Sequence, residues 1–165
     1  MAEKKKIVVI DDEADLCSLV KENLEETGEF EVMTVTDATR AVQICRNEVP
    51  ALILLDIVMP KIAGTEILKD LRNSLETKTT PVVVISGLGE IVYTKKKNKW
   101  QWLPNRPVVL SRGNIPREHD PEHAAKTYGV EGYIVKPFTI ENLLQTIREV
   151  LRTAGLKRRE ASANE

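Results

Sequence analysis

Cysteine is scarce in this chain: Cys17 and Cys45 are the only two in 165 residues, in separate helical patterns, with no Cys-x-x-Cys pair and no Cys/His cluster. That excludes a disulfide framework and a thiolate metal centre, and it fits a reducing compartment. Long apolar runs are missing as well. The opening MAEKKKIVVIDDE has a basic lead, but its apolar segment is four residues long and runs straight into acids. This is too short for a signal peptide or a membrane span, so a cytoplasmic protein with no membrane partner is expected. At this length one domain can bury a substantial core without staples. The net charge of -1 is uneven: residues 88–118 hold seven Lys/Arg against two Glu, or +5, which leaves -6 for the remainder.

What is present is a set of short apolar runs that end on polar residues. Ala51–Gly64, ALILLDIVMPKIAG, is the organising stretch. Its five apolar residues suit a strand buried on both faces of a parallel sheet, with Asp56 at its end. Pro60 stops the strand, and Gly64 allows a tight turn into the next helix. Ile7–Ile10 is a second such run, ending on Asp11, Asp12 and Glu13. Glu31–Thr36 alternates like an edge strand, Pro81–Ile85 ends on Ser86 and Gly87, and Tyr133–Val135 ends on Lys136 and Pro137. Helical spacing fills the gaps. Leu16, Leu19, Val20 and Leu24 precede a stop at Gly28, and Asp37 is placed to cap the next helix. Ile67, Leu68 and Leu71 carry a third helix; Asp120-Pro121-Glu122 starts a short fourth one that stops at Gly129; Ile140–Leu151 is amphipathic.

Five strands alternating with five helices give a three-layer α/β fold on a parallel sheet, because right-handed crossovers leave few other choices. In the flavodoxin-like order 2-1-3-4-5, the first and third strands are neighbours, and their acids meet at the carboxyl edge where such sheets bind ligands. Two carboxylates about 4 Å apart repel by roughly 4 kcal/mol at an effective dielectric near 20. Something cationic must offset this. Lys136 offers one charge, and a hard ion such as Mg²⁺ offers the rest while keeping positions open to a phosphoryl group.

The set Asp11-Asp12, Asp56-Ile57-Val58-Met59-Pro60, Gly64, Ser86-Gly87, Tyr133 and Lys136-Pro137-Phe138 resembles the receiver domain of bacterial two-component response regulators, the CheY-like family. Taken singly, each residue has a plainer reading as a turn former, a strand end, a solvated charge or core. Their order at successive strand ends is what carries the likeness. The resemblance implies that Asp56 accepts a phosphoryl group from the phosphohistidine of a sensor histidine kinase or a phosphotransfer protein. It implies Mg²⁺ held by Asp12, Asp56 and the Val58 carbonyl, with Asp11 acting through a metal-bound water. Ser86 and Tyr133 match the family's switch pair, Lys136 its phosphoryl-contacting lysine, and Lys136-Pro137 a bond commonly cis. On this basis residues 1–155 are expected to form a stand-alone receiver with a polar tail at 156–165, or else a fragment of a longer regulator.

Three departures stand out. Ala63 precedes Gly64 where the family often has Asp, and the positions two beyond Asp56 and Ser86 are Val58 and Leu88. The largest departure is an insertion at 88–118, about thirty residues beyond what the family needs between its fourth strand and fourth helix. Glu90–Thr94 and Trp100–Leu103 around a lysine-rich turn read as a hairpin. Both tryptophans lie here: either they pack the segment onto the domain while the lysines solvate its tip, or the segment is the contact for an output protein, with nucleic acid the lesser reading. Two alternatives stand beside the receiver reading: a degenerate receiver that binds without phosphotransfer, and an FMN-binding flavodoxin-like redox module. The second conflicts with Asp11-Asp12-Glu13, which stand where a phosphate cradle needs backbone donors and small residues.

Overall fold

The computed structural model describes residues 3–87, 91–94, 99–102 and 129–164. Strand β1 (Lys5–Ile10) leads to α1 (Ala14–Glu26), β2 (Phe30–Val35), a 3-10 turn (Ala38–Arg40), α2 (Ala41–Glu48), β3 (Leu52–Asp56) and α3 (Gly64–Asn73). Then come β4 (Val82–Gly87), the short strands β5 (Ile91–Thr94) and β6 (Lys99–Trp102), β7 (Gly132–Lys136) and α4 (Ile140–Ala163). The main sheet is parallel in the order β2-β1-β3-β4-β7. With the β5–β6 pair set aside, this is the expected 2-1-3-4-5 order.

Side-chain alternation along the strands divides the core in two. On one face Ile7, Val9, Leu52, Leu54, Val83, Ile85 and Ile134 pack against Cys17, Val20 and Leu24 of α1 and Leu143, Ile147 and Val150 of α4. On the other, Val8, Ile10, Ile53, Leu55, Val82 and Val84 meet Ala41 and Cys45 of α2 and Ile67, Leu68 and Leu71 of α3. Leu52 to Leu55 are fully buried because β3 is central and covered on both faces. Each such aliphatic side chain contributes about 1.5–3 kcal/mol relative to exposure. The sheet is thereby rigid where its ends must be placed.

Helix ends follow local chemistry. Gly28 takes φ 76 just after α1, which favours glycine. Asp37 accepts a hydrogen bond from the Thr39 N–H, capping the 3-10 turn that runs into α2. The β5–β6 pair is antiparallel, with Tyr93 in register with Trp100 and Thr94 with Lys99. This agrees with the expected hairpin, although the second strand starts at Lys99, which the sequence placed in the turn. The expected helix from Asp120 and the rest of the 88–118 segment lie outside the described residues.

One expectation is corrected. The polar stretch expected as a tail at 156–165 is not separate from the last helix: α4 continues through Gly155 to Ala163, 24 residues in all. A lone glycine costs a helix about 1 kcal/mol relative to alanine, and the strong helix formers Leu156, Lys157, Arg158 and Arg159 follow it. The helix therefore spans about 36 Å and outruns the five-residue strand β7 beside it.

Candidate functional site

The carboxyl ends of β1, β3 and β7 bring Asp11, Asp56 and Lys136 together, as the strand-end reading expected. Asp11 follows β1 directly, whereas Asp56 is the last residue of β3 and Lys136 the last of β7. Asp11 and Asp56 are buried, with 1% and 4% of their surface exposed. Each divides its carboxylate in the same way. Asp11 Oδ1 accepts from the Glu13 N–H at 2.9 Å while its Oδ2 accepts from Lys136 Nζ at 2.9 Å. Asp56 Oδ1 accepts from the Val58 N–H at 2.9 Å while its Oδ2 accepts from Lys136 Nζ at 3.3 Å. One oxygen shapes the local turn and the other faces the shared ammonium.

Asp12 is exposed and completes the cluster: ligand oxygens of Asp11, Asp12 and Asp56 all lie within 4.8 Å of one another. Burial pushes the Asp56 carboxyl up to about 6; the charge of Lys136 opposes this and that of Asp11 adds to it. Burial likewise raises Asp11, against the Lys136 hydrogen bond. For Lys136, burial acts to lower the pKa, but the hydrogen bond to Asp11 and the charges of Asp56 and Asp11 hold it above the ordinary lysine range. One ammonium therefore does not neutralise the group. Three hard oxygen donors with uncompensated charge fit a divalent cation such as Mg²⁺ and not a softer metal.

The loop after β3 owes its shape to a close approach. A Cβ on Gly64 would stand 2.3 Å from the Asp56 carbonyl oxygen and 2.6 Å from Ile57 Cα, and the Gly64 N–H donates to the Ile57 carbonyl at 2.9 Å. Gly64 is needed for space, whereas the sequence pattern assigns it a tight turn; the left-handed residue of this loop is Lys61, at φ 71. Ala63 caps α3 with no side-chain hydrogen bond. The Lys136–Pro137 peptide is cis.

Ser86 and Tyr133 lie on adjacent strands: Ser86 of β4 is in register with Val135 of β7, and Tyr133 is two residues earlier, partly buried against the core. Gly87 is in register with Lys136, so the root of the insertion adjoins the site lysine along the β4–β7 ladder. Leu88 is outside the described residues. The sequence reading missed one partner: Glu13 Oε1 accepts from Lys136 Nζ at 3.1 Å. The two residues are 123 positions apart, and only the strand-end acid run hinted at the contact.

The pattern for the response regulator receiver domain matches residues 7–100, more than half of the chain. The chain belongs to that family. The match includes Asp11, Asp12, Asp56 and Ser86 and stops before β7, so it is the fold that adds Tyr133 and Lys136 to the receiver. A probable transcriptional regulator, ycf27, of Porphyra purpurea is 30% identical over 152 residues, which is 92% of this chain and 49% of that protein. The DNA-binding dual master transcriptional regulator RpaA of Synechocystis is 27% identical over 147 residues, 89% of this chain and 49% of that one. The receiver thus spans about half the length of these curated relatives. A CheY-like receiver domain protein from Methanospirillum hungatei superposes with a TM-score of 0.66 at 23% identity, covering 94% of this chain and 99% of that chain, and it shares the fold. A receiver domain is a phospho-acceptor signalling module served by a histidine kinase. No helix among the described residues is long and apolar enough to cross a membrane.

Proposed function

We propose that Asp56 is the phosphoryl acceptor of this receiver. The observation that carries the reading is the placement of one buried carboxylate at the end of the central strand, with Lys136 Nζ 3.3 Å away and two further acids alongside. An Asp56 oxygen attacks the phosphorus of a phosphohistidine on the kinase or a phosphotransfer protein; the O–P bond forms as the N–P bond breaks, and its electron pair returns to the imidazole. Little covalent work is asked of the protein, since phosphoryl transfer rests on positioning and charge neutralisation. Val58 N–H fixes the rotation of the Asp56 carboxylate, and Lys136 meets the charge that arrives. Asp11, Asp12, Asp56 and the Val58 carbonyl would hold Mg²⁺, which when bound offsets the carboxylates and the phosphoryl oxygens.

Phosphorylation leaves Asp56 with about 1.5 to 2 negative charges, if it behaves like a phosphorylated hydroxyl. Ser86 and Tyr133 are the residues assigned to respond, and the 88–118 segment, rooted beside Lys136 at Gly87, is the surface assigned to the output protein. The relatives act as transcriptional regulators, so the output of this chain is read as control of such a partner. One experiment addresses both steps. Incubation with acetyl phosphate and Mg²⁺ should add one phosphoryl group by intact mass and shift the tryptophan emission, all of which comes from the insertion. Labelling that persists in Asp56→Asn would sink the acceptor assignment, and emission unmoved in the labelled protein would sink the output route.

A further inference from the structure

An ammonium group has three N–H donors, and Lys136 Nζ has three carboxylate oxygens around it: Asp11 at 2.9 Å, Glu13 at 3.1 Å and Asp56 at 3.3 Å. The donors are fully used in the resting protein. The three acceptors are not equivalent. Asp11 and Asp56 have 2% and 5% of their side chains exposed, and each also holds a backbone N–H with its other oxygen. Withdrawing either one would strip a turn of its hydrogen bond in a place water does not reach. Glu13 has 63% of its side chain exposed, and among the described residues Lys136 is its only ion-pair partner. Its carboxylate can turn into water at little cost.

We infer that Glu13 is a positioning residue that holds Lys136 in the resting arrangement and competes with a phosphoryl group on Asp56 for it. The inference rests on Asp56 being the acceptor. Once Asp56 carries the added charge, Lys136 has a stronger acceptor beside it, and Glu13 loses its share of the ammonium. Glu13 therefore favours the resting form and opposes the phosphorylated one. Its charge has the opposite effect on cation binding, because a further carboxylate near Asp11, Asp12 and Asp56 attracts Mg²⁺. Loss of the Glu13 charge is thus expected to move two affinities in opposite directions, which a general disturbance of the fold would not do.

The test titrates beryllofluoride, a phosphoryl mimic, into the whole chain at saturating Mg²⁺, read by fluorine NMR, with Mg²⁺ alone titrated separately by calorimetry. Glu13→Gln should bind the mimic about two- to fivefold tighter, the range expected for a partly exposed charge pair, and should bind Mg²⁺ more weakly than the parent. In a Lys136→Ala background, where there is no ammonium to compete for, the same substitution should lose most of that gain. Mimic affinity unchanged or weakened by Glu13→Gln overturns the inference, as does a gain of equal size without Lys136. A parent chain that binds no mimic overturns the acceptor assignment along with it, whereas a parent that binds normally beside an unresponsive Glu13→Gln overturns this inference alone.

Discussion

Both ends of the sheet hold a cation among oxygen atoms, but only one end is in balance. At the amino edge Arg72 donates to the carbonyls of Thr80 at 2.7 Å and of Lys78 and Gly129 at 3.3 Å, and pairs with Glu131 at 3.1 Å. Glu131 in turn holds the sheet: its Oε2 accepts from the Val82 N–H at 2.7 Å, and its own N–H donates to the Val82 carbonyl at 3.0 Å. One guanidinium meets one carboxylate, and the rest are neutral backbone groups. At the carboxyl edge one ammonium meets three carboxylates with Asp12 beside them. The first arrangement closes the fold. The second stores unfavourable negative charge that a cation can relieve, and so it is where binding energy is available.

The sharpest way to break this comparison is at Gly64, where the charged edge is shaped by backbone contact. Gly64→Ala should lower stability by about 3 kcal/mol, the upper end of overpacking costs, since its Cβ meets backbone atoms that cannot move aside. Urea unfolding will show this, and a cost under about 1 kcal/mol would mean that the loop after β3 gives way freely. Arg72→Ala comes next. The pair with Glu131 is partly exposed, at 25% and 37%, and is itself worth little. The loss comes from the carbonyls left without a donor, Thr80 above all, for about 2 kcal/mol by the same measurement. Labelling of Asp56 by acetyl phosphate should be unchanged; a parallel loss of labelling would show that the two edges are coupled.

The third effect has the opposite sign. Asp56 has its folded pKa raised to about 6 from an ordinary 3.8, so the folded state binds its proton more tightly than the unfolded state does. Its cost is absent below about pH 4, grows as pH rises through about 6, and is complete above that. In metal-free buffer Asp56→Asn should therefore be more stable than the parent by about 2 kcal/mol near neutral pH, less than the full shift implies because Lys136 loses a partner. The gain should vanish near pH 4. Thermal melts across that range will show it, and a gain independent of pH would mean that charge at Asp56 is not what strains the site.

The alternation of strands and helices, the two-faced core and the placing of Asp11, Asp56 and Lys136 at strand ends were readable in the chain because each rests on local pattern, whereas the order that brings those ends together was taken from the flavodoxin-like fold. A fully apolar run has only the middle of a parallel sheet to occupy, and whatever ends it must stand at the sheet's edge. Contacts that arise from spatial proximity alone were not readable. Glu13 and Lys136 are 123 residues apart and Arg72 and Glu131 are 59 apart, so no spacing rule links them. Gly64 looked like a turn glycine because glycine serves both torsion and space, and only the 2.3 Å approach to the Asp56 carbonyl tells them apart. The stretch after Gly155 read as a polar tail, but a lone glycine weakens a helix without forbidding it, and the helix formers after it carried the helix on. Local pattern thus determined which elements form and which residues sit at their ends. Tertiary packing decided which of those residues share a cation, because ion pairs answer to distance in space and not to distance along the chain.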